Sequence, residues 1–338
     1  MDILKAQDTN LLIDKFGRQV TYVRLSITDR CDFRCQYCMS EDMKFLPREK
    51  LLTLEEMSLL GETFASLGVN KIRITGGEPL VRKNIMLLFQ RLGKIDSIKD
   101  LTLTTNGSQL AKYASELKNA GVTRINISLD SLQENRFHDI TRTGNLYQVL
   151  GGIDAAIEAG FRQIKLNAVI MKNHNHDEIL DLTEFVVNRG IDISFIEEMP
   201  LGSVSSHDRD KTYYSSDDVK SDIEKRFLLT SSAKTSAGPS RYYDIEGTES
   251  SVGFISPHSH NFCESCNRVR VTAEGRLLLC LGQEHSVDLR DTMRRYPGDA
   301  DMLRTTLIES MHIKPEGHDF NTDGGVPVIL RHMNMTGG

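Results

Sequence analysis

The chain has 338 residues and a formal net charge of −6, a length that allows one large domain or two modest ones. The negative charge argues against a general binder of nucleic acid or anionic membranes, because both partners require a broad positive surface. Met1–Arg18 is polar, and no stretch approaches the ~18 apolar residues of a membrane span, so the sequence predicts neither a signal peptide nor a membrane anchor. We therefore expect a cytoplasmic protein.

A repeated pattern of amphipathic helix, glycine and short β-rich run fills the first two-thirds of the chain. The predicted strands are Tyr22–Ile27, Lys71–Thr75, Leu101–Thr105, Arg124–Asp130, Gln163–Ile170 and Asp192–Glu197. Left-handed helix caps are predicted at five glycines, namely Gly68, Gly93, Gly121, Gly160 and Gly190. Strands that alternate with helices are typically parallel and joined by crossovers. The sequence therefore predicts an α/β fold with six βα units, a partial (βα)6 barrel of the TIM type.

Apolar and polar side chains alternate along these predicted strands. The apolar positions include Val23, Leu25, Ile72, Ile74, Leu101, Leu103, Ile125, Ile127, Leu166 and Ala168. Because successive side chains point to opposite faces of a strand, helices are expected to cover the apolar face and the polar face is expected to line the interior. An antiparallel sheet with one solvated face is the alternative, but the intervening helices favour the barrel. An interior that carries Arg24, Lys71, Arg73 and Lys165 would suit a small polyanion.

The composition changes after Glu197. Residues 200–220 are rich in Ser and Asp, and Ser231–Ser240 is rich in small residues and Pro, so both segments are predicted to be loops. Short β-like runs follow. We therefore expect two domains: a partial barrel at residues 1–199, and a smaller C-terminal α+β subdomain at residues 200–338.

All six cysteines fall into two triads. Cys31, Cys35 and Cys38 have the spacing C-x3-C-x2-C, and Cys263, Cys266 and Cys280 have the spacing C-x2-C-x13-C. Three thiolates can hold an iron–sulfur cluster and leave one iron open to a ligand that is not protein. Zinc is the alternative metal, but it needs four protein ligands, which His258 or His260 could complete at the second triad. Disulfides are the other alternative, and they belong to oxidising compartments.

Two loops at the ends of neighbouring predicted strands carry the strongest motifs. The first triad follows the first strand, and Thr75–Pro79, with the sequence T-G-G-E-P, ends the second. Barrels carry their active sites at the carboxyl ends of the strands. A glycine pair there allows a close approach between backbone and ligand.

Together these motifs resemble those of the radical S-adenosylmethionine enzymes. Five further segments make the chain similar to the MoaA family of GTP 3′,8-cyclases: S-I-T-D-R-C at 26–31, R-I-T-G-G-E-P-L at 73–80, L-T-T-N-G at 103–107, N-I-S-L-D-S at 126–131 and N-F-C-E-S-C-N-R-V-R at 261–270. The terminal Gly-Gly matches as well. The sequence departs from the family pattern at Ser40, where Pro is common, and at Ser194, where many members carry Arg.

The resemblance assigns roles to individual residues. It implies two [4Fe–4S] clusters, one on Cys31, Cys35 and Cys38 and one on Cys263, Cys266 and Cys280. It implies that Tyr37, Gly77, Ser128 and Met199 contact S-adenosylmethionine, which binds the open iron of the first cluster. It implies GTP contacts from Arg24, Arg73, Thr104, Lys165, Arg268, Val269 and Arg270. It also implies a catalytic role for Gly337 and Gly338.

The resemblance further implies a reaction and partners. A low-potential electron donor would reduce the first cluster, and a 5′-deoxyadenosyl radical would take hydrogen from the ribose C3′ of GTP. The expected product, (8S)-3′,8-cyclo-7,8-dihydroguanosine 5′-triphosphate, would pass to a pterin synthase in molybdenum cofactor biosynthesis. We expect a monomer or homodimer with neither a nucleic-acid nor a membrane partner. The alternatives are a two-cluster peptide maturase, which usually needs more than three downstream cysteines, and a zinc-stabilised nucleotide-binding protein.

Overall fold

The computed structural model describes residues 11–199, 201–202, 209–234, 238–257, 263–318, 329 and 331–337. Six parallel strands form the centre of its sheet. They are β1 (Tyr22–Ser26), β2 (Lys71–Thr75), β3 (Asp100–Thr105), β4 (Val122–Ser128), β5 (Ile164–Ile170) and β6 (Asp192–Glu197), paired in that order. Each lies within two residues of its prediction. The α/β partial barrel is therefore confirmed.

Six later strands extend this sheet at both edges. They are β7 (Leu229–Ser231), β8 (Arg241–Ile245), β9 (Ser251–Ile255), β10 (Arg268–Val271), β11 (Arg276–Leu278) and β12 (Ser286–Asp288). The order across the sheet is β12-β11-β10-β1-β2-β3-β4-β5-β6-β9-β8-β7, with β10 parallel to β1 and β9 parallel to β6. No strand pair among the described residues closes the sheet into a barrel. The division of the chain at residue 199 stays a prediction, and the sheet runs across it.

Helices alternate with the central strands and continue in the later part of the chain. They are α1 (Leu54–Ser66), α2 (Ile85–Leu92), α3 (Leu110–Asn119), α4 (Glu134–Thr141), α5 (Leu146–Glu158), α6 (Ile179–Val187), α7 (Arg209–Thr212), α8 (Ser216–Glu224), α9 (Leu289–Arg295), α10 (Ala300–Ser310) and α11 (Met333–Thr336). α1 begins with a capping box in which Thr53 and Glu56 satisfy each other's backbone N–H groups. Within the described ranges, every helix is too short or too polar to cross a membrane.

The hydrophobic core lies between the helices and the apolar face of the sheet. Val23, Leu25 and Ile74 on the strands are buried, and so are Phe64 of α1 and Phe89 of α2. The other face of the sheet carries the polar side chains and lines a cavity, as the alternation predicts. Burial of one strand face therefore leaves the opposite face available for a site.

The predicted glycine caps are confirmed at four positions and wrong at one. Gly68, Gly121, Gly160 and Gly190 have φ angles between 62° and 88°, the left-handed region that favours glycine. Gly93 instead has φ −67°. A Cβ atom there would lie 2.0 Å from the carbonyl oxygen of Ala120, so close backbone packing is what requires this glycine.

Candidate active site

A cavity of about 290 Å³ lies over the polar face of the sheet, and both cysteine triads line it. Of the residues assigned to S-adenosylmethionine, Tyr37, Gly77, Ser128 and Met199 line the cavity. Of those assigned to GTP, Arg24, Arg73, Thr104, Lys165, Arg268, Val269 and Arg270 also line it. Motifs from distant parts of the sequence therefore meet in one place.

The first triad lies on a loop that begins after β1 and packs against the end of α4. The amides of Arg34 and Gln36 donate to the carbonyl oxygens of Thr141 and Ile140 at 2.9 and 3.0 Å. All six cysteines are free thiols in the structure. Burial raises the pKa of the Cys38 thiol to about 12 and also raises the pKa values of Cys31 and Cys35. A cationic metal centre would stabilise these thiolates, which fits an iron–sulfur cluster.

The glycine pair after β2 brings the second loop against the cysteine loop. The Gly77 amide donates to the Thr28 carbonyl oxygen at 2.6 Å, and the Glu78 amide donates to that of Arg30 at 2.8 Å. A Cβ atom would lie 2.7 Å from the Thr28 oxygen at Gly76 and 2.3 Å from the Arg30 oxygen at Gly77. The protein's own backbone therefore requires both glycines. The contact of Gly77 with S-adenosylmethionine stays a prediction.

Glu78 was missed by the sequence analysis, although it lies in the T-G-G-E-P motif. Its buried carboxylate accepts hydrogen bonds from the Asn106 amide at 2.6 Å, the Thr105 hydroxyl at 2.8 Å and the Leu80 amide at 2.9 Å. Burial raises the pKa of Glu78 to about 8, against the opposing effect of these donors. Glu78 therefore ties together the carboxyl ends of β2 and β3.

Asp130 was also missed, and it positions one of the predicted cofactor contacts. The Tyr37 hydroxyl donates to Asp130 Oδ2 at 2.8 Å, and the Val169 amide donates to Oδ1 at 2.8 Å. Burial raises the pKa of Asp130 to about 6 and that of Tyr37 well above its ordinary value. The Asp in N-I-S-L-D-S is the sequence signal that could have identified it.

Three arginines form a row across adjacent strands at one edge of the cavity. The strand register places Arg24 of β1 beside Arg73 of β2 on one side and Arg270 of β10 on the other. Burial lowers the pKa of Arg24 to about 10 and lowers that of Arg270 well below its ordinary value. Neighbouring cations that are partly removed from water repel each other and are poorly hydrated. We therefore interpret this arginine row as a site that fits a polyanion.

Tyr22 and Lys165 belong to the same cationic region. Arg73 Nε donates to the Tyr22 oxygen at 2.8 Å, and Arg73 Nη1 donates to Thr104 Oγ1 at 3.1 Å. Lys165 Nζ donates to the Tyr242 oxygen at 3.0 Å, and burial lowers the pKa of Lys165. Tyr22 was not predicted as a site residue, although it lies two positions before Arg24 and therefore on the same strand face.

The second triad surrounds a buried cation. Lys314 is 1% exposed, and its Nζ lies 3.7 Å from Cys266 Sγ and donates to the Leu279 carbonyl oxygen at 3.0 Å. Burial acts to raise the pKa of Cys266, but the charge of Lys314 outweighs burial and lowers this pKa. Burial raises the pKa values of Cys263 and Cys280. A cation beside thiolates fits a cluster with net negative charge.

The zinc alternative depends on residues that the structure does not describe. His258 and His260, its possible fourth ligands, lie outside the described residues. In the part of the chain that is described, no three His, Cys, Asp or Glu side chains converge on a single metal ion.

The tail reaches the arginine row. The Gly337 carbonyl oxygen accepts hydrogen bonds from Arg270 Nη1 at 3.0 Å and from Arg24 Nη2 at 3.2 Å. Gly337 has φ 78°, and a Cβ atom there would lie 2.4 Å from Thr75 Cγ2, so both backbone and space favour glycine. Gly338 lies outside the described residues.

The family departure at Ser194 affects the opposite edge of the cavity. Ser194 is buried on β6, and its hydroxyl lies 3.1 Å from that of Ser240, which lines the cavity. A Cβ atom on Gly253 of β9 would lie 2.5 Å from the Ser194 oxygen. At this position the chain therefore has a short hydroxyl packed against a glycine.

Comparisons with known proteins agree with this geometry. Residues 25–186 match the model of the radical SAM superfamily, and residues 191–320 match the model described as Molybdenum Cofactor Synthesis C. Over its whole length the chain is similar to proteins named GTP 3′,8-cyclase. It is 60% identical to that of Ectopseudomonas mendocina strain ymp over 98% of this chain and 99% of the relative. It is also 60% identical to that of Saccharophagus degradans, over 97% and 98%.

Solved structures show the same fold. SuiB of Streptococcus suis superposes with a TM-score of 0.61 at 14% identity, over 86% of this chain and 67% of SuiB. SuiB bound to S-adenosylmethionine superposes with a TM-score of 0.59 at 14% identity, over 88% and 69%. At this identity the likeness concerns the fold alone, whereas the curated relatives are close in sequence over nearly their full length. The chain therefore belongs to the GTP 3′,8-cyclase family of radical S-adenosylmethionine enzymes.

Proposed function

We infer that this protein converts GTP to (8S)-3′,8-cyclo-7,8-dihydroguanosine 5′-triphosphate, the GTP 3′,8-cyclase reaction of molybdenum cofactor biosynthesis. One observation carries the inference: both cysteine triads and the arginine row line the same cavity. A cavity that two cluster sites line can hold a nucleotide within reach of both. Full-length relatives named GTP 3′,8-cyclase support the same reaction.

The cofactors are S-adenosylmethionine and two [4Fe–4S] clusters, and S-adenosylmethionine bound at the first cluster would supply the radical chemistry. Cys31, Cys35 and Cys38 hold the first cluster, and Cys263, Cys266 and Cys280 hold the second. Tyr37, Gly77, Ser128 and Met199 contact S-adenosylmethionine. The hydrogen bond from Tyr37 to Asp130 fixes the phenol at the cavity wall and supports this assignment.

The protein's own residues bind and orient GTP. Arg24, Arg73 and Arg270 present guanidinium groups in one row, which suits the spaced oxygens of a triphosphate. Arg268, Val269, Thr104 and Lys165 complete the binding surface. Holding the ribose in a fixed position next to the radical lowers the entropic part of the barrier.

The tail acts at the reaction centre. The Gly337 carbonyl accepts hydrogen bonds from two arginines that also bind substrate, so this backbone lies beside the triphosphate site. Gly337 and Gly338 are therefore assigned to catalysis. Two glycines present backbone N–H and C=O groups with the least bulk.

The partners follow from the chemistry. The first cluster would need an electron from a low-potential donor, and a pterin synthase would consume the cyclised product. We place the protein in the cytoplasm, because a reducing compartment keeps its free cysteines available for cluster assembly. It acts there as a monomer or homodimer.

The test is an anaerobic assay with reconstituted protein, GTP, S-adenosylmethionine and dithionite. We expect 5′-deoxyadenosine and a cyclised nucleotide in equal amounts, identified by mass spectrometry. ATP in place of GTP is the control and should give no cyclised product. Cleavage of S-adenosylmethionine without any product derived from GTP would overturn the proposal.

A further inference from the structure

Tyr22 lies beneath the arginine row, on the same face of β1 as Arg24. It is 3% exposed and lines the cavity, and its oxygen accepts the hydrogen bond from Arg73 Nε at 2.8 Å. A buried phenol in that position gives the arginines an acceptor that requires no bound ligand. Nothing in the proposed chemistry uses this group.

The charges around Tyr22 come from three strands. Arg24 lies on β1, Lys71 and Arg73 on β2, and Arg268 and Arg270 on β10. Lys71 Nζ is 5.3 Å and the Arg268 guanidinium carbon is 5.9 Å from the centre of the Tyr22 ring. Lys71 also forms an ion pair with Asp100 of β3 at 2.5 Å.

These cations favour the ionised phenol. Burial alone would raise the pKa of Tyr22, but Arg73, Arg24, Arg268 and Lys71 outweigh it and lower the pKa to about 6. At neutral pH the phenolate would therefore neutralise part of the positive charge on this cavity wall.

We propose that the Tyr22 oxygen is the resident counter-ion of this cationic wall and takes up a proton when the triphosphate of GTP binds. The proposal rests on the proposed function, in which the surrounding arginines bind that triphosphate. The phosphate charge replaces the phenolate charge, the proton comes from solvent, and the phenolate becomes a phenol. Tyr22 is thus a positioning residue that acts on substrate through Arg73 and Arg24.

The sign of the pH dependence follows from linkage. An anion bound beside a phenol raises its pKa, so at pH values between the free and bound pKa values the complex holds more protons than the free protein. The association constant of GTP should then fall as pH rises above about 6, by up to about tenfold per pH unit. Tyr22→Phe removes this dependence.

The experiment is anaerobic titration calorimetry of the holoenzyme with GTP at about pH 7.5. Repeating the titration in buffers of different ionisation enthalpy gives the number of protons taken up, and we expect about one proton per GTP in the wild type. Tyr22→Phe should abolish most of this uptake. Proton exchange by the nucleotide itself is common to both proteins and cancels in the difference. Tyr243→Phe on β8, whose ring packs against Phe254, is the matched control and should behave like the wild type. Guanosine should cause no uptake.

The outcomes separate the counter-ion from a structural role. A structural role predicts that Tyr22→Phe weakens GTP binding by the same factor at every pH. A counter-ion predicts that the ratio of the wild-type to the Tyr22→Phe association constant falls as pH rises above about 6. Equal proton uptake by the wild type and Tyr22→Phe would overturn the proposal. If Tyr22→Phe loses its clusters and cannot be compared, the wild type alone decides, and GTP binding by the wild type without proton uptake would overturn the proposal. A wild-type protein that fails to bind GTP would contradict the proposed function instead.

Discussion

At the scale of single residues, the arginine row shows how strand register builds the proposed polyanion site. Arg24, Arg73 and Arg270 are far apart in the sequence. The parallel pairing of β1 with β2 and with β10 places them side by side. The Tyr22 oxygen and the Gly337 carbonyl accept from these guanidinium groups before substrate arrives. The guanidinium groups are therefore held in position before a triphosphate binds.

The first prediction concerns these cations. Arg24→Ala, Arg73→Ala and Lys165→Ala should each weaken GTP binding by roughly 1.5–3 kcal/mol, the usual effect of losing a charged hydrogen bond. Guanosine binding should change far less, because it lacks the triphosphate. Calorimetry with both ligands makes the comparison, and Arg189→Ala outside the cavity controls for overall charge. Equal losses for the two ligands would show that the residues are structural.

The second prediction concerns the pH dependence of stability through Glu78. Its folded pKa of about 8 is above the ordinary value of 4.5, so the folded protein binds this proton more tightly. The stability that the protonated Glu78 side chain contributes is therefore fully present below about pH 4.5 and is lost as pH rises through about 8. Glu78→Gln should flatten the fall in the urea midpoint over that range.

Glu56 is a matched control, because its pKa is shifted in the opposite direction to that of Glu78. Although it is partly buried, its contact with Arg294 lowers its pKa, so its contribution is present above the unfolded value and is lost on acidification. Glu56→Gln should leave the alkaline side of the profile unchanged. An unchanged alkaline slope in Glu78→Gln would contradict the role given to Glu78.

At the scale of elements, two neighbouring glycines in α5 test how helices pack around the sheet. Gly152 is buried, and a Cβ atom there would lie 2.6 Å from the Gly107 carbonyl oxygen. Gly151 is exposed, and a Cβ atom there would meet nothing within 4 Å. One position therefore needs glycine for close packing, and the next does not.

The third prediction follows from this pair. Gly152→Ala should destabilise the protein by about 1–3 kcal/mol, because the backbone must shift to make room. Gly151→Ala should stabilise it by about 0.5–1 kcal/mol, because alanine loses less entropy in a helix. Urea unfolding of the two variants gives both values. Similar effects at both positions would contradict the packing of α5 described here.

Strand β10 is the element that assembles the site. It follows Cys263 and Cys266 in the chain, carries Arg268 and Arg270, and pairs with β1 from Tyr22↔Arg268 to Leu25↔Val271. One pairing therefore places two cysteines of the second triad and two arginines near the first strand. Hydrogen bonds from Arg18 to the Cys263 and Pro315 carbonyl oxygens, at 2.8 and 2.5 Å, hold the same region.

At the scale of the whole molecule, the fourth prediction concerns cluster content. Anaerobically prepared protein should contain iron and sulfide for two four-iron clusters, because two triads use every cysteine. Replacing Cys31, Cys35 and Cys38 with Ala should halve the iron and abolish cleavage of S-adenosylmethionine. The same change at Cys263, Cys266 and Cys280 should halve the iron but leave that cleavage. Stoichiometric zinc without sulfide would refute both assignments.

The fifth prediction concerns the tail. Deleting Gly337 and Gly338 should leave cluster content and GTP affinity nearly unchanged, because the arginines and cysteines remain. It should severely reduce cyclised product per cluster in a single turnover, because the backbone that we propose acts at the reaction centre is lost. Adding two alanines in place of the glycines controls for chain length. Full activity of the truncated protein would show that the tail is dispensable.

Local sequence patterns determined most of the fold and the candidate ligands. Alternation along each strand identified the polar face that carries Arg24, Arg73 and Lys165, because side-chain direction in a strand has a period of two residues. Cysteine spacing identified both triads, because closely spaced thiolates are brought together by the local chain. These features depend on neighbours in sequence, which one sequence displays directly.

Only the tertiary structure decided which distant segments meet. The sequence suggested a separate C-terminal subdomain, but it did not indicate that β9 and β10 continue the barrel sheet at opposite edges. It also did not indicate that Tyr22 lies under cations from three strands, or that the Gly337 carbonyl reaches Arg24 and Arg270. Strand pairing between residues 59 positions apart, as in β6 and β9, or 246 positions apart, as in β1 and β10, depends on the packing of the whole chain, and no local period encodes it.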